Sequence, residues 1–479
     1  MERLLRTNSK HAHKCFPQSR PELNILSFIF ISRFLTPFQG TSRMVYLRSL
    51  IDNYPKSATY SNLKHKLWST STRLKLAQIL SLSKSSAASR NVISSFSTDK
   101  KSVCVSWTDG TSTKFHNIWL RDHCRCGECY NSTTYQKEFN ILDVPLDIEP
   151  VDVAVDTDNF LSVTWADNHK TRFDGEWLKH HSYGGSGPAG VTRRLQEKQK
   201  PFNFLWDKKA IESKLPCPFV FDKVISDQEE LNALFRRIVK YGFGLVEETP
   251  ATVDAIEQIA IRLGGFVKET HYGKMWEFSN EVLEHADTAY TSSYLRGHTD
   301  TTYFSHPVGL QMLHCAGHEG AGGLNLLIDG FFAAEKLRQV DKESFDFLTS
   351  TTISFEYKSE DLLLKAQGPI IELDPFDGTF SQIRFNTYDM SPLDYLEYQD
   401  VEQFYKALRA FDAITNDPEN QLWFKLVPGL LLIMGNWRVL HGRSGFTGKR
   451  MMQGCYVNGD DFFGKYRATA LSRYDLIHR

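Results

Sequence analysis

A His-x-Asp pair, His298 and Asp300, and a late histidine, His441, constrain this chain more than any other feature. The pair lies in Gly297-His298-Thr299-Asp300-Thr301-Thr302-Tyr303-Phe304, and its distant partner is Asn436-Trp437-Arg438-Val439-Leu440-His441-Gly442-Arg443. Residues two apart on an extended strand point to one side, so His298 and Asp300 can act together. Two imidazoles and one carboxylate make a mixed nitrogen and oxygen face. Such a face suits Fe(II) and leaves three positions open for other ligands. Alone, His-x-Asp is weak evidence, and an isolated His298 reads equally well as a core or surface histidine.

The residues after His441 add weight. The turn signals Ser444-Gly445 and Thr447-Gly448 lead into Lys449–Val457, which reads as a strand carrying Arg450. A guanidinium one strand from a metal can grip the far carboxylate of a dicarboxylate with two parallel hydrogen bonds. The set His298, Asp300, His441 and Arg450 resembles the 2-oxoglutarate-dependent, non-haem Fe(II) oxygenases.

The remaining chain divides into segments. Residues 1–98 are basic and Ser-rich, with Glu2, Glu22 and Asp52 as their only acids. That composition resembles a mitochondrial transit peptide and points to the mitochondrial matrix. A disordered tail is the plainer reading. Residues 63–82 read as a basic amphipathic helix, and Met44 is an alternative start. The apolar run Leu23–Leu35 is short and interrupted by Arg33, so no membrane span is expected. A net charge of −1 argues against a nucleic-acid binder driven by overall charge.

Residues 99–185 alternate as short strands. Val103–Trp107 runs into Asp109-Gly110, and Leu161–Trp165 runs into Asp167-Asn168, as in a small all-β module. Between them, Cys124, Cys126 and Cys129 can share one tetrahedral zinc, with His169 as fourth ligand and His123 as competitor. Four protein ligands close such a site, so it is expected to be structural. Reduced, unliganded thiols are the alternative. Residues 186–215 read as a linker, and the catalytic domain is expected over 216–479. There a capping box at Ser226–Glu229 opens a helix stopped by Gly242, and a second helix stops at Gly264-Gly265. Further helices are expected over Gly330–Leu348 and Asp394–Ile414. The fold class expected is mainly β with flanking helices (α+β): a double-stranded β-helix, or jelly roll, preceded by a small zinc-binding β domain.

Residues 100–465 resemble the γ-butyrobetaine/trimethyllysine dioxygenase family. The resemblance rests on Trp119–Cys129, Ala286–Thr291, His298–Phe304, Gly322–Phe331, Asn436–Arg443 and Phe446–Arg450. It implies iron on His298, Asp300 and His441, and structural zinc on Cys124, Cys126, Cys129 and His169. It makes Arg450 the 2-oxoglutarate clamp, with Arg443 as alternative. It places Tyr272, Trp276, Tyr290 and Tyr456 around a quaternary ammonium, which donates no hydrogen bond and is held best by aromatic faces. Without the resemblance these aromatics read as core. Within the family, the chain looks closer to the branch that hydroxylates trimethyllysine at C3, giving succinate and CO2 and opening carnitine synthesis. Asp287 supports that branch, since trimethyllysine carries an α-ammonium and γ-butyrobetaine does not. Asn386 reads as a ligand for the substrate carboxylate or as a turn residue. The resemblance also implies O2 as co-substrate, ascorbate as auxiliary reductant, and a homodimer. The runner-up activity is γ-butyrobetaine hydroxylation. A different class is a non-catalytic metabolite-sensing protein.

Overall fold

The structure, a computed structural model, describes residues 92–184, 204–215, 217–279, 291–375 and 377–469. The expected leader up to residue 91, including the helix over 63–82, lies outside the described residues. Among those described, no helix is long and apolar enough to cross a membrane.

The N-terminal module is two three-stranded meanders. The first comprises β1 (Ile93–Asp99), β2 (Ser102–Trp107) and β3 (Ser112–His116), followed by helix α1 (Asn117–Asp122). A two-stranded ribbon, β4 (Tyr130–Asn131) and β5 (Gln136–Lys137), separates it from the second meander. That meander is β6 (Pro150–Val155), β7 (Phe160–Trp165) and β8 (Lys170–Asp174), followed by α2 (Gly175–His180). Strand β1 starts before the boundary expected at residue 99, and Ile93 is part of the module's core. The two halves repeat one pattern. Trp107 donates through its indole N–H to Thr113 at 3.3 Å, as Trp165 does to Thr171 at 2.8 Å. Val103, Val105, Phe115 and Leu120 meet Leu161, Val163, Phe173 and Leu178 in one core, distinct from the cores of the rest of the chain. Alternation on each strand puts these side chains on one face.

The second part begins earlier than expected. Within the expected linker, Trp206 is fully buried and bonds the Tyr241 carbonyl, and Lys208–Glu212 forms α3. A large indole with a partnered N–H joins the core wherever its backbone can follow. Next come β9 (Phe219–Val220), α4 (Phe221–Ser226), α5 (Gln228–Tyr241), β10 (Phe243–Glu247) and α6 (Val253–Gly264). Helix α5 buries Leu231, Leu234, Phe235, Ile238 and Val239, the expected stripe. Its cap is Asp227, not Ser226: Asp227 accepts from the Glu229 N–H at 2.8 Å, whereas Ser226 ends α4. Gly242, at φ 81°, stops the helix in a conformation other residues enter at a cost.

Strands β11 (Trp276–Ser279), β12 (Leu295–His298), β13 (Leu310–His318) and β14 (Asn325–Asp329) follow. Helices α7 (Gly330–Val340) and α8 (Lys342–Ser350) replace the single helix expected over 330–348. Asp341 divides them, because its carboxylate caps α8 at the Ser344 N–H and hydroxyl. Two hairpins, β15 (Ile353–Lys358) with β16 (Leu363–Gly368) and β17 (Ile371–Leu373) with β18 (Phe380–Ile383), precede α9 (Tyr398–Thr415). The chain ends with β19 (Leu422–Phe424), β20 (Leu431–Gly435), β21 (Val439–Arg443), β22 (Arg450–Val457) and α10 (Gly459–Thr469).

Two sheets face each other: six strands in the order β11-β22-β13-β20-β10-β9, and four in the order β12-β21-β14-β19. Period-two alternation divides each central strand between two cores. On β20, Leu432 and Met434 point between the sheets while Leu431 and Ile433 meet α5 and α6. Helices α7, α8 and α9 cover the four-stranded sheet through Phe331, Leu337, Leu348, Phe404 and Phe411. Each such side chain contributes about 1.5–3 kcal/mol by leaving water. The result is a β-rich α+β jelly roll, as expected, with side chains from both sheets converging between them.

Candidate active site

The strand pair β12–β21 places His298 directly opposite His441. Their ring centres are 4.4 Å apart. Asp300 follows on a loop held from several sides. Asn436 accepts from the Asp300 N–H at 2.8 Å and donates to the carbonyls of Asp300 and Val308 at 3.0 Å each. The buried Arg384 donates to the carbonyls of Thr302 and Phe304, at 2.6 and 2.9 Å. Thr301 sits at φ 57°, a conformation that β-branched residues rarely adopt and that surrounding structure has to impose.

The Oδ1 of Asp300 lies 3.4 Å from His298 Nε2 and 3.5 Å from His441 Nε2. One donor atom from each residue falls within 4.8 Å of the others. His298 Nδ1 lies 2.8 Å from the Arg296 carbonyl, which fixes the protonated nitrogen there and leaves Nε2 with its lone pair. Burial opposes ionisation of Asp300, but the His441 and His298 imidazoles outweigh it and hold the carboxyl well below its usual range. The imidazoles move in opposite directions: burial lowers His441, whereas for His298 the Asp300 carboxylate outweighs burial and raises it. This donor set fits a divalent transition metal with positions left open.

The triad opens on a cavity of about 310 Å³. Arg450 and Arg443 both line it, each 5% exposed. Burial lowers the pKa of Arg450. Arg443 is engaged elsewhere: its Nη2 donates to the carbonyls of Thr291 and Ser293, the latter at 3.0 Å. Aromatic rings line the same cavity. Trp276 and Tyr456 have ring centres 5.7 Å apart, and Tyr272 and Tyr303 bring their hydroxyls within 3.3 Å. Gly454 makes room for Trp276, since a Cβ there would lie 2.1 Å from the indole.

Of the residues expected here, His298, Asp300, His441, Arg443, Arg450, Tyr272, Trp276, Asn386 and Tyr456 all line this one cavity. Asp287 and Tyr290 lie outside the described residues. Asn386 accepts from the Tyr388 N–H at 3.0 Å and donates to Asp389 at 2.9 Å, the bonds of a turn residue, while also lining the cavity. The sequence reading missed Tyr303, Tyr357, Gln311 and Asp389, which also line the cavity. Tyr303 stood within the metal-loop motif itself. Tyr357 comes from the β15–β16 hairpin, which no turn dipeptide announced, and its ring lies 5.3 Å from that of Tyr303.

In the N-terminal module, Cys124, Cys126 and Cys129 bring their sulfurs to 3.3, 3.5 and 3.4 Å from His169 Nε2. Ligands of a tetrahedral zinc with sulfur and nitrogen donors lie roughly 3.5 Å from one another, so the four residues fit that ion. His123 is not of this group: its Nδ1 meets the Trp119 carbonyl at 2.8 Å and its ring stacks on Trp119.

Comparison with known proteins agrees with this geometry. Residues 207–456 match the family described as taurine catabolism dioxygenase TauD, TfdA family. Residues 94–179 match the family described as gamma-butyrobetaine hydroxylase-like, N-terminal. Mitochondrial trimethyllysine dioxygenase of Mus musculus is 36% identical over 429 residues, covering 85% of this chain and 99% of its own. The enzyme of the same description from Homo sapiens is 36% identical over 366 residues, covering 75% and 84%. Gamma-butyrobetaine dioxygenase of Pseudomonas sp. is 30% identical over 368 residues, covering 76% and 92%. The chain belongs to the TauD, TfdA dioxygenase family and, within it, to the group of trimethyllysine and γ-butyrobetaine dioxygenases. It is an enzyme of the Fe(II)/2-oxoglutarate oxygenase type.

Proposed function

We propose that this enzyme hydroxylates N6,N6,N6-trimethyllysine at C3 in the mitochondrial matrix, as the first step of carnitine synthesis. The observation that carries the reading is the meeting of a two-histidine, one-carboxylate triad and an aromatic wall in one cavity. Identity of 36% to mitochondrial trimethyllysine dioxygenases across most of the chain supports the substrate. His298, Asp300 and His441 would hold Fe(II), and Arg450 the distal carboxylate of 2-oxoglutarate. Arg443 is the alternative clamp, with its Nη2 donating to the carbonyls of Thr291 and Ser293. Bound there, iron would couple decarboxylation of 2-oxoglutarate to succinate and CO2 with oxygen insertion into a C–H bond.

The protein's own part is orientation. Tyr272, Trp276 and Tyr456 present π-faces to the trimethylammonium, so that the chain of the substrate extends toward the triad, and Tyr290 is assigned to the same cage. Asp287 is assigned the α-ammonium. Asn386 acts through Asp389 rather than on the substrate carboxylate. Zinc on Cys124, Cys126, Cys129 and His169 is structural, the protein is a homodimer, and ascorbate keeps the iron reduced.

The test is a product assay by mass spectrometry with purified protein, Fe(II), ascorbate and 2-oxoglutarate. Trimethyllysine and γ-butyrobetaine are offered in competition. One oxygen gained on trimethyllysine alone is expected. Gain on γ-butyrobetaine instead would overturn the substrate while keeping the reaction type. Gain on neither, with iron bound, would favour a metabolite sensor.

A further inference from the structure

The outer oxygen of Asp300 is held as firmly as its inner one. Oδ1 faces the two imidazole nitrogens. Oδ2 accepts two hydrogen bonds, from the Tyr456 hydroxyl at 2.8 Å and from the Gln311 side-chain amide. Gln311 and Tyr456 stand directly opposite each other across the β13–β22 ladder, and they are 5% and 6% exposed. Neither is a candidate metal ligand; Gln311 lies 11 residues and Tyr456 156 residues from Asp300 in sequence.

We infer that Gln311 and Tyr456 are positioning residues that latch Oδ2 of Asp300, restricting this carboxylate to one-oxygen metal ligation. The consequence follows from counting positions. Two imidazoles and one carboxylate oxygen leave three of six positions open. Chelating 2-oxoglutarate takes two and O2 needs the third. A carboxylate is free to bind a metal through both oxygens, and a second oxygen from Asp300 would occupy a position the co-substrates need. Two donors on Oδ2 oppose that rotation, because it would leave buried donors without their acceptor. The Gln311 Oε1 accepts no hydrogen bond among the described residues. Its amide is therefore turned for donation to Asp300 rather than for its own full satisfaction. Tyr456 links the latch to the aromatic wall, where its ring packs on Trp276.

The test uses the full chain with Co(II) in place of iron, without oxygen, since the visible spectrum of Co(II) responds to its ligand set and geometry. Gln311→Leu and Tyr456→Phe are read separately, so that a folding failure in one, seen by near-ultraviolet circular dichroism, leaves the other to decide. In each folded variant Co(II) uptake should persist. The spectrum without co-substrate should differ from that of the unsubstituted chain, as the second Asp300 oxygen replaces a bound water, and 2-oxoglutarate should bind about tenfold more weakly, the size of a lost hydrogen bond to a charge. Unchanged spectra and unchanged 2-oxoglutarate affinity in folded variants would overturn the latch. The inference rests on the metal assignment proposed above. Failure of the unsubstituted chain to take up one Co(II) would sink both, whereas normal uptake with silent variants sinks the latch alone.

Discussion

At the scale of single residues, the site works by close approach. Gly454 sits opposite Trp276 in the β11–β22 pair, and only hydrogen there leaves room for the indole. Gly454→Ala would set its Cβ against both the Trp276 indole and the Met312 carbonyl, so Trp276 should shift and KM for the quaternary-ammonium substrate should rise, with a smaller effect on KM for 2-oxoglutarate; steady-state kinetics would show equal effects if Trp276 were mere packing. Asp300→Ala removes the proposed carboxylate ligand. Turnover should fall by more than about a hundredfold, since losing even an outer-shell partner costs up to that much. Zinc content, measured by elemental analysis, should stay unchanged, and normal turnover would refute the assignment. Arg450→Met should weaken 2-oxoglutarate by roughly ten- to a hundredfold, the cost of a charged hydrogen-bond pair. Arg443→Met should instead loosen the 291–293 loop and act mainly on the amine substrate. Separate binding titrations of 2-oxoglutarate and of trimethyllysine distinguish these outcomes.

At the scale of elements, a buried ion pair ties several segments of the core together. Arg438 and Asp329, 2% and 0% exposed, meet at 2.7 Å. Arg438 also donates to the Phe204 and Lys240 carbonyls, and Asp329 accepts from the Trp206 N–H at 3.0 Å and caps α7. The pair thereby joins β14, β21, the end of α5 and the entry segment around Trp206. Arg438→Met strands a buried carboxylate and should cost about 3–5 kcal/mol. Urea unfolding would reveal it as a lower midpoint, and an unchanged midpoint would mean that the network is dispensable. Two departures from the local sequence pattern have physical causes. Asp341 interrupts a continuous apolar stripe because capping α8 outweighs helix continuation. Trp206 turns an expected linker into core because burying an indole stabilises more than leaving that segment in water.

At the scale of the whole molecule, two bodies of sheet have separate cores, one around Trp107 and Trp165 and one between the facing sheets. The smaller core is modest, so the proposed zinc should contribute much of its stability. Cys126→Ser, or removal of zinc by a chelator, should lower the melting temperature of residues 92–184 while leaving the larger domain folded. Hydrogen exchange resolved by segment is the measurement; uniform protection without zinc would mean that the apolar core suffices alone.

The sequence by itself determined what local rules govern. Alternation marked β2 and β7, the apolar stripe and Gly242 bounded α5, and the spacings of His298 with Asp300 and of Cys124 with Cys126 and Cys129 named candidate ligands. These are short-range properties, set by strand and helix periods and by ligand chemistry. Only the tertiary structure decided what meets across long separations. It set His298 opposite His441, brought His169 to the thiols, and seated Tyr357 beside Tyr303. It turned Asn386 toward Asp389, engaged Arg443 with a loop, and put Gln311 and Tyr456 on one oxygen of Asp300. Register between strands far apart in the chain depends on how whole sheets pack, and no local pattern encodes it.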